Sequence, residues 1–204
     1  MTPELFETYC RFIRVITEHI NSHFEEQKEY IFCKEGCSLC CQNAQYPCTE
    51  LEFKFLNLGF SLLDINLKNK IFENIIKIKK DKNTFSETKF RYTCPFLIDN
   101  KCSVYYYRPL ICRSFGLSYY EQVKNEKGEI QNILQIPFCV EKGLNYHEVY
   151  DIEKGVLSTD LFKAKGFKIE PKAYHLSPEY LISEVGENML GLSFGNVKPL
   201  IDWF

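Results

Sequence analysis

Four thiols stand within nine residues at Cys33, Cys37, Cys40 and Cys41, in the stretch Cys-Lys-Glu-Gly-Cys-Ser-Leu-Cys-Cys. A second block follows with Cys94-Pro95-Phe96-Leu97, Cys102, Arg108-Pro109-Leu110-Ile111-Cys112-Arg113, and Cys139 behind Pro137-Phe138. Thiolates are soft donors that select zinc or iron-sulfur clusters over magnesium or calcium, and a tetrahedral zinc or a 4Fe-4S cubane takes four of them. Eight clustered cysteines therefore suit one site with spares, or two. The pair Cys37-x2-Cys40 places two ligands on one tight turn, an arrangement common to zinc knuckles and ferredoxins, so the spacing leaves the metal open. Neighbouring side chains point different ways, which assigns Cys40 and Cys41 to different sites or makes one of them a bridge. Arg108 and Arg113 flank Cys112, where guanidinium groups can offset thiolate charge and donate hydrogen bonds to sulfur. Cys10 and Cys48 lie outside both blocks, and Cys10 reads as a small core hydrophobe.

The surroundings favour thiols over disulfides. A chain of 204 residues with 45% hydrophobic residues can build a core without staples. The opening Met1-Thr2-Pro3-Glu4 lacks a basic leader and no run approaches 18 apolar residues, so a cytoplasmic location and no membrane partner are expected. In that reducing setting a dense cysteine pattern means metal binding or catalysis. A net charge of -2 and a pI near 6.1 argue against a nucleic-acid partner.

The elements that must position these thiols read as follows. Thr2-Pro3-Glu4 opens a helix, and Leu5, Tyr9, Phe12, Ile13, Ile16, Ile20 and Phe24 form its apolar stripe. His19 and His23 lie four apart on it but lack the Glu of a His-Glu-x-x-His zinc motif, and read as surface or boundary residues. Thr49 and Glu52 fit a capping box for a helix reaching about Gly59. A second helix runs from about Asp64 to Lys80, burying Ile71, Phe72, Ile75 and Ile76, with Leu67 and Ile78 beside them. Lys77, Lys79, Lys80 and Lys82 suit its C-terminal end through the macrodipole, and residues 81–92 read as a loop. From Cys94 the pattern turns extended, with a hairpin through Asp99-Asn100-Lys101 that brings Cys94 and Cys102 together. Arg108-Pro109 starts a short helical turn carrying Cys112, ended by Gly116, while Tyr105, Tyr106 and Tyr107 read as packing residues. A second hairpin, Tyr119 to Val123 and Ile130 to Ile136, delivers Cys139. Residues 145–204 read as short helices and loops packed on the outside, with no catalytic motif.

The expected fold is α+β, a mostly helical single domain with short β-hairpins around a cysteine-ligated metal core. Its parts are an N-terminal amphipathic helix (1–29), a cysteine-cluster region (30–145) and a C-terminal extension (146–204). Metal binding is expected to hold the cysteine-bearing segments in place.

Cys37-x2-Cys40-Cys41, Cys94-Pro95-Phe96-Leu97, Cys102-Ser103-Val104-Tyr105 and Arg108-Pro109-x2-Cys112-Arg113-x-Phe115 together resemble the YkgJ-type cysteine-cluster proteins, the CxxCxxCC zinc- or iron-chelating domain family. The resemblance spans roughly residues 30 to 145. Cys33 stands four before Cys37, where the family name implies three. The resemblance implies a metal-chelating domain whose ligands, an iron-sulfur cluster (4Fe-4S) or zinc, come from Cys33, Cys37, Cys40, Cys41, Cys94, Cys102, Cys112 and Cys139. Flagellin lysine N-methylases look related through a similar cluster, which leaves a cluster-dependent enzyme, methylase-like or redox, as the alternative function. No glycine-rich strand-to-helix turn for a nucleotide-like cofactor accompanies it.

Overall fold

The opening helix forms where its cap and stripe predict. In the computed structural model, which describes residues 2–34, 36–85 and 90–204, helix α1 (Pro3–Glu26) buries Tyr9, Phe12, Ile13, Ile16 and Ile20, and Thr2 Oγ1 accepts from Leu5 N at 3.3 Å. A single turn, α2 (Leu39–Gln42), holds Cys40 and Cys41. Strand β1 (Pro47–Thr49) leads into α3 (Glu50–Ser61), whose first turn is closed by the expected capping box. Helix α4 (Ile65–Thr84) begins at Asp64, whose side chain accepts from Asn66 N and Leu67 N. It buries Ile71, Ile75 and Ile78. Phe72 and Ile76, expected inside, are 48% and 68% exposed, because a single contacting face admits the i, i+4, i+7 row and turns the neighbouring positions outward. Part of the stretch expected as a loop continues α4 to Thr84, and residues 86–89 of it lie outside the described residues.

Strands β2 (Leu97–Ile98) and β3 (Lys101–Cys102) make the first expected hairpin. Asp99 and Asn100 take φ of 50° and 59° at its tip, the left-handed pair that a two-residue turn needs. Helix α5 (Leu110–Ser114) carries Cys112. The second expected hairpin is β4 (Tyr119–Lys124) with β5 (Ile130–Gln135), followed by a 3-10 turn, Phe138–Lys142, that holds Cys139. A third hairpin, β6 (Tyr150–Asp151) with β7 (Val156–Leu157), precedes α6 (Thr159–Lys165) and a π-helix at Leu181–Met189. Strand β8 (Val197–Pro199) closes the course by pairing antiparallel with β1. The fold is thus α+β, helices with small two-stranded sheets. Among the described residues no helix is long and apolar enough to cross a membrane.

Contacts group the chain into two units. One comprises residues 1–8, 35–113 and 192–204, and the other residues 9–34 and 114–191. In the first, Leu56, Ile71, Ile75, Ile78, Phe96, Val104, Leu200 and Ile201 form the core, with Cys48 sealed among them and Cys94 and Cys102 packed against it. The last segment is therefore not outside packing: Leu192, Phe194, Leu200 and Ile201 are all buried, since β8 pairs with β1 and carries them inward. In the second unit Tyr30, Tyr146 and Val149 form a smaller cluster, with Phe162 and Phe167 against it. Its polar frame is buried as well. Gln27 takes Lys172 N on its Oε1 and donates Nε2 to Glu170 O.

Candidate metal centre

Five thiols converge in the first unit. Helix α2 supplies Cys40 and Cys41, the entry to the β2–β3 hairpin supplies Cys94, β3 supplies Cys102 and α5 supplies Cys112. The Cys40 and Cys41 sulfurs lie 4.0 Å apart. Charge on Cys40 is felt at Cys41, Cys94, Cys102 and Cys112, and Cys94 and Cys112 act on Cys41 in turn.

Backbone bonds tie these segments to each other. Cys94 N donates to Cys41 O at 2.7 Å, and the isolated bridge between Ala44 and Tyr92 continues that pairing. Ser38 Oγ donates to Asn100 Oδ1 at 3.2 Å, fastening the turn before Cys40 to the tip of the hairpin. Tyr46 donates its hydroxyl to Cys40 O at 2.8 Å, and Asn74 of α4 donates Nδ2 to Pro95 O at 3.2 Å.

Glu52 is the anchor that the sequence pattern only half reveals. Its Oε2 accepts from Thr49 N at 2.8 Å while its own N–H donates to Thr49 Oγ1 at 3.2 Å, which is the capping box, and Oε2 accepts from Thr49 Oγ1 at 2.9 Å as well. Its Oε1 accepts from Leu110 N at 2.8 Å, at the start of the helix that bears Cys112. One buried carboxylate thus holds the N-termini of α3 and α5. Burial raises its pKa, opposed by these three donors and by Arg113. Its spacing from Leu110, 58 residues along the chain, gives no local signal.

The electrostatics of the thiols follow from burial and mutual proximity. Burial pushes Cys94 up to about 12, raises Cys102, and lifts Cys112 well above the ordinary thiol value. Cys40 and Cys41 share one S–H···S contact in which either sulfur can donate, and with the proton held on one of the two, Cys40 is lowered and Cys41 raised. Against burial stand backbone donors: the N–H groups of Phe96 and Leu97 aim at Cys94 sulfur, and that of Val104 at Cys102 sulfur.

Arg108 and Arg113 flank Cys112 in sequence but serve different groups. Arg113, 8% exposed, donates Nε to Arg108 O at 3.0 Å and Nη2 to Tyr106 O at 2.6 Å, and its charge faces Glu52. It braces the loop before α5. The guanidinium of Arg108 lies 3.8 Å above the Tyr105 ring, its charge favours the thiolate forms of Cys40, Cys102 and Cys112, and its buried Nε has no hydrogen-bond partner. Of the three tyrosines, Tyr105 and Tyr106 are 52% and 81% exposed, so only Tyr107 packs as expected, against Phe55 and over Gly59.

No family model matches the chain, and no curated protein or solved structure does.

The remaining thiols divide. Cys37 is exposed in the same unit, and Cys48 is core. Cys33 and Cys139 belong to the second unit, where the buried Asn145 donates Nδ2 to Cys33 sulfur at 3.3 Å and Cys139 is buried in its 3-10 turn. Cys10 is half-buried on α1. Among the described residues no group of three or more His, Cys, Asp or Glu side chains is drawn in to metal-holding distance.

The donor set nonetheless has the chemistry of a thiolate site. Five soft donors share one locality, backbone N–H groups aim at two of them, and a cation with an unpartnered buried donor faces three. A buried donor left unpaired costs about 1–3 kcal/mol.

Proposed function

We propose that this chain is a metal-binding protein that chelates zinc or an iron-sulfur cluster through thiols drawn from Cys40, Cys41, Cys94, Cys102 and Cys112, in keeping with its resemblance to the YkgJ-type cysteine-cluster proteins. The observation that supports this most is the convergence of five thiols from three separate segments, each half-buried, beside the Arg108 guanidinium. Buried neutral thiols at this density are poor packing material, because each raises the cost of ionising the next. A bound cation reverses that penalty, since ligands enter as thiolates and release their protons. When bound, zinc supplies a structural clamp, and a cluster adds one-electron chemistry.

The chain's own residues do the rest. Cys40 and Cys41 present sulfur from one turn, Cys94 and Cys102 from opposite arms of a hairpin, and Cys112 from a helix pinned by Glu52. Phe96, Leu97 and Val104 offer backbone N–H groups to sulfur, and Arg108 offsets the net negative charge of four thiolates. Binding requires the sulfurs to close inward, which the short irregular segments around Cys94 and Cys102 permit.

The test is anaerobic purification followed by metal and sulfide analysis and a visible spectrum. Broad absorption with matching iron and sulfide identifies a cluster, and a colourless protein with one zinc identifies a structural site. Wild-type protein that retains neither, or Cys40→Ser and Cys112→Ser variants that retain as much as wild type, would refute the proposal.

A further inference from the structure

On α1 two imidazoles face each other, His19 exposed and His23 partly buried. His19 and His23 are one helical turn apart, their rings meet edge to face at 4.4 Å, and their Nε2 atoms lie 3.2 Å from one another. Two nitrogens bound to one zinc ion at about 2.0–2.1 Å with a tetrahedral angle stand roughly 3.3 Å apart, so this pair already has the spacing of a chelate. We propose that His19 and His23 form a two-nitrogen binding site for a divalent transition-metal ion of the zinc class, completed by water.

The surroundings fix His23 in the required form. Its ring stacks on Tyr174 at 3.8 Å, and its Nδ1 faces Glu26 Oε2 at 3.8 Å. Glu26 is itself held, accepting from the Tyr174 hydroxyl at 2.8 Å and from Lys172 Nζ. A carboxylate on the Nδ1 side keeps the proton there and leaves the Nε2 lone pair for the ion, the carboxylate-histidine-metal arrangement of known zinc sites. Lys172, a cation whose charge reaches His23, is paired with Glu26. His19 is exposed, so its Nδ1 can carry the ring proton toward water and leave Nε2 for the same ion. Without metal one ring's Nε2–H donates to the other ring's Nε2, and binding an ion moves that proton to Nδ1 of the same ring, so that both Nε2 lone pairs face the metal. Imidazole suits zinc, nickel and copper and is a poor ligand for magnesium or calcium, which sets the class of ion.

This site uses no cysteine, so it stands or falls apart from the thiol reading. The test is a zinc titration of the full-length, tag-free, 15N-labelled protein, followed at the imidazole nitrogens. Nε2 of His19 and Nε2 of His23 are expected to shift together in one saturable step while His147 and His175 stay still. Zinc captured by thiols leaves those imidazole signals unmoved, so the readout is specific. His19→Gln and His23→Gln should each weaken the step at least tenfold, and Glu26→Gln about tenfold, within the range seen for outer partners of metal-bound histidine. A shift at one ring only, a shift at neither, or an unaltered His23 response in His19→Gln would overturn the site.

Discussion

The helical pair α3–α4 and the thiol-bearing segments that pack on it are built by opposite means. The helices run 12 and 20 residues, each opened by a side-chain cap, Thr49 with Glu52 and Asp64, and each pressed on the core by a row of apolar residues. The thiol segments hold a four-residue turn, two two-residue strands and a five-residue helix. Elements this short close few hydrogen bonds of their own and cannot persist alone. They borrow order from single polar anchors, above all Glu52, Asn74 and Arg113. Regular elements tolerate the loss of one contact, whereas a loop held at a few points does not.

The largest break in that comparison comes from the thiols. On the order of 10 kcal/mol is available from a structural thiolate-zinc site, comparable with the whole stability of a domain. Cys112→Ser and Cys40→Ser should therefore lose metal and stability together. Hydrogen exchange should show protection lost across residues 94–113 and kept along α3 and α4. Uniform loss across helices and loops alike would mean that the two regions are one cooperative block.

Glu52→Gln comes next. The amide can present only one oxygen, so donors on one side, Thr49 N and Oγ1 or Leu110 N, lose their acceptor at about 1–3 kcal/mol each. The substitution also changes the pH dependence. With its pKa raised by burial, the folded Glu52 holds its proton above the pH at which the unfolded chain releases it. Its contribution is fullest below the ordinary carboxyl value and is lost as pH rises through the folded value. Denaturant unfolding of wild type and Glu52→Gln across this window should show the difference in stability narrowing as pH rises. A constant difference would mean that Glu52 titrates normally.

The regular parts were legible because their signals are local. The cap at Thr49, the stripe on α1, and both hairpins with their turn residues lie within a few positions of the structure they cause. The thiols that gather were legible in part. Cys94 and Cys102 follow from their hairpin, but the joining of Cys40 and Cys112 to them depends on tertiary packing, and sorting Cys33 and Cys139 into another unit depends on an interleaved chain path. The two arginines looked equivalent beside Cys112, and only the placement of carbonyls and thiols separates a brace at Arg113 from a charge partner at Arg108. Likewise Phe72 and Ile76 are as apolar as Ile71 and Ile75, and which row faces inward is decided by the partner surface.

A smaller effect is expected at the seam where α3 meets the tyrosine turn. A Cβ at Gly59 would stand 2.4 Å from Tyr107 Cγ and 2.7 Å from its Cβ, the base of the side chain, where little can swing away. Overpacking costs about 1–3 kcal/mol, while alanine in a helix interior gains about 1 kcal/mol over glycine. Gly59→Ala should therefore be destabilising on balance, by about 1 kcal/mol in the unfolding free energy, and Tyr107→Ala in the same background should restore the helix gain. A stabilised single variant would show that the loop yields to the helix.

The smallest effect belongs to Cys10→Ser. Cys10 sits half-buried on α1 and belongs to neither cysteine block of the sequence, and burial favours its neutral thiol, which behaves as a small hydrophobe. Serine fits the same space, and its hydroxyl on a long helix can reach water or a carbonyl of the preceding turn. The change in stability should lie within about 0.5 kcal/mol, the range of substitutions that break no anchor. Metal content should equal that of wild type. Because this variant removes a thiol without touching the short segments, it separates thiol count from thiol position. Reduced metal in Cys10→Ser would assign ligand work to a regular helix, and the proposed division between self-supporting helices and loops held by metal would fall with it.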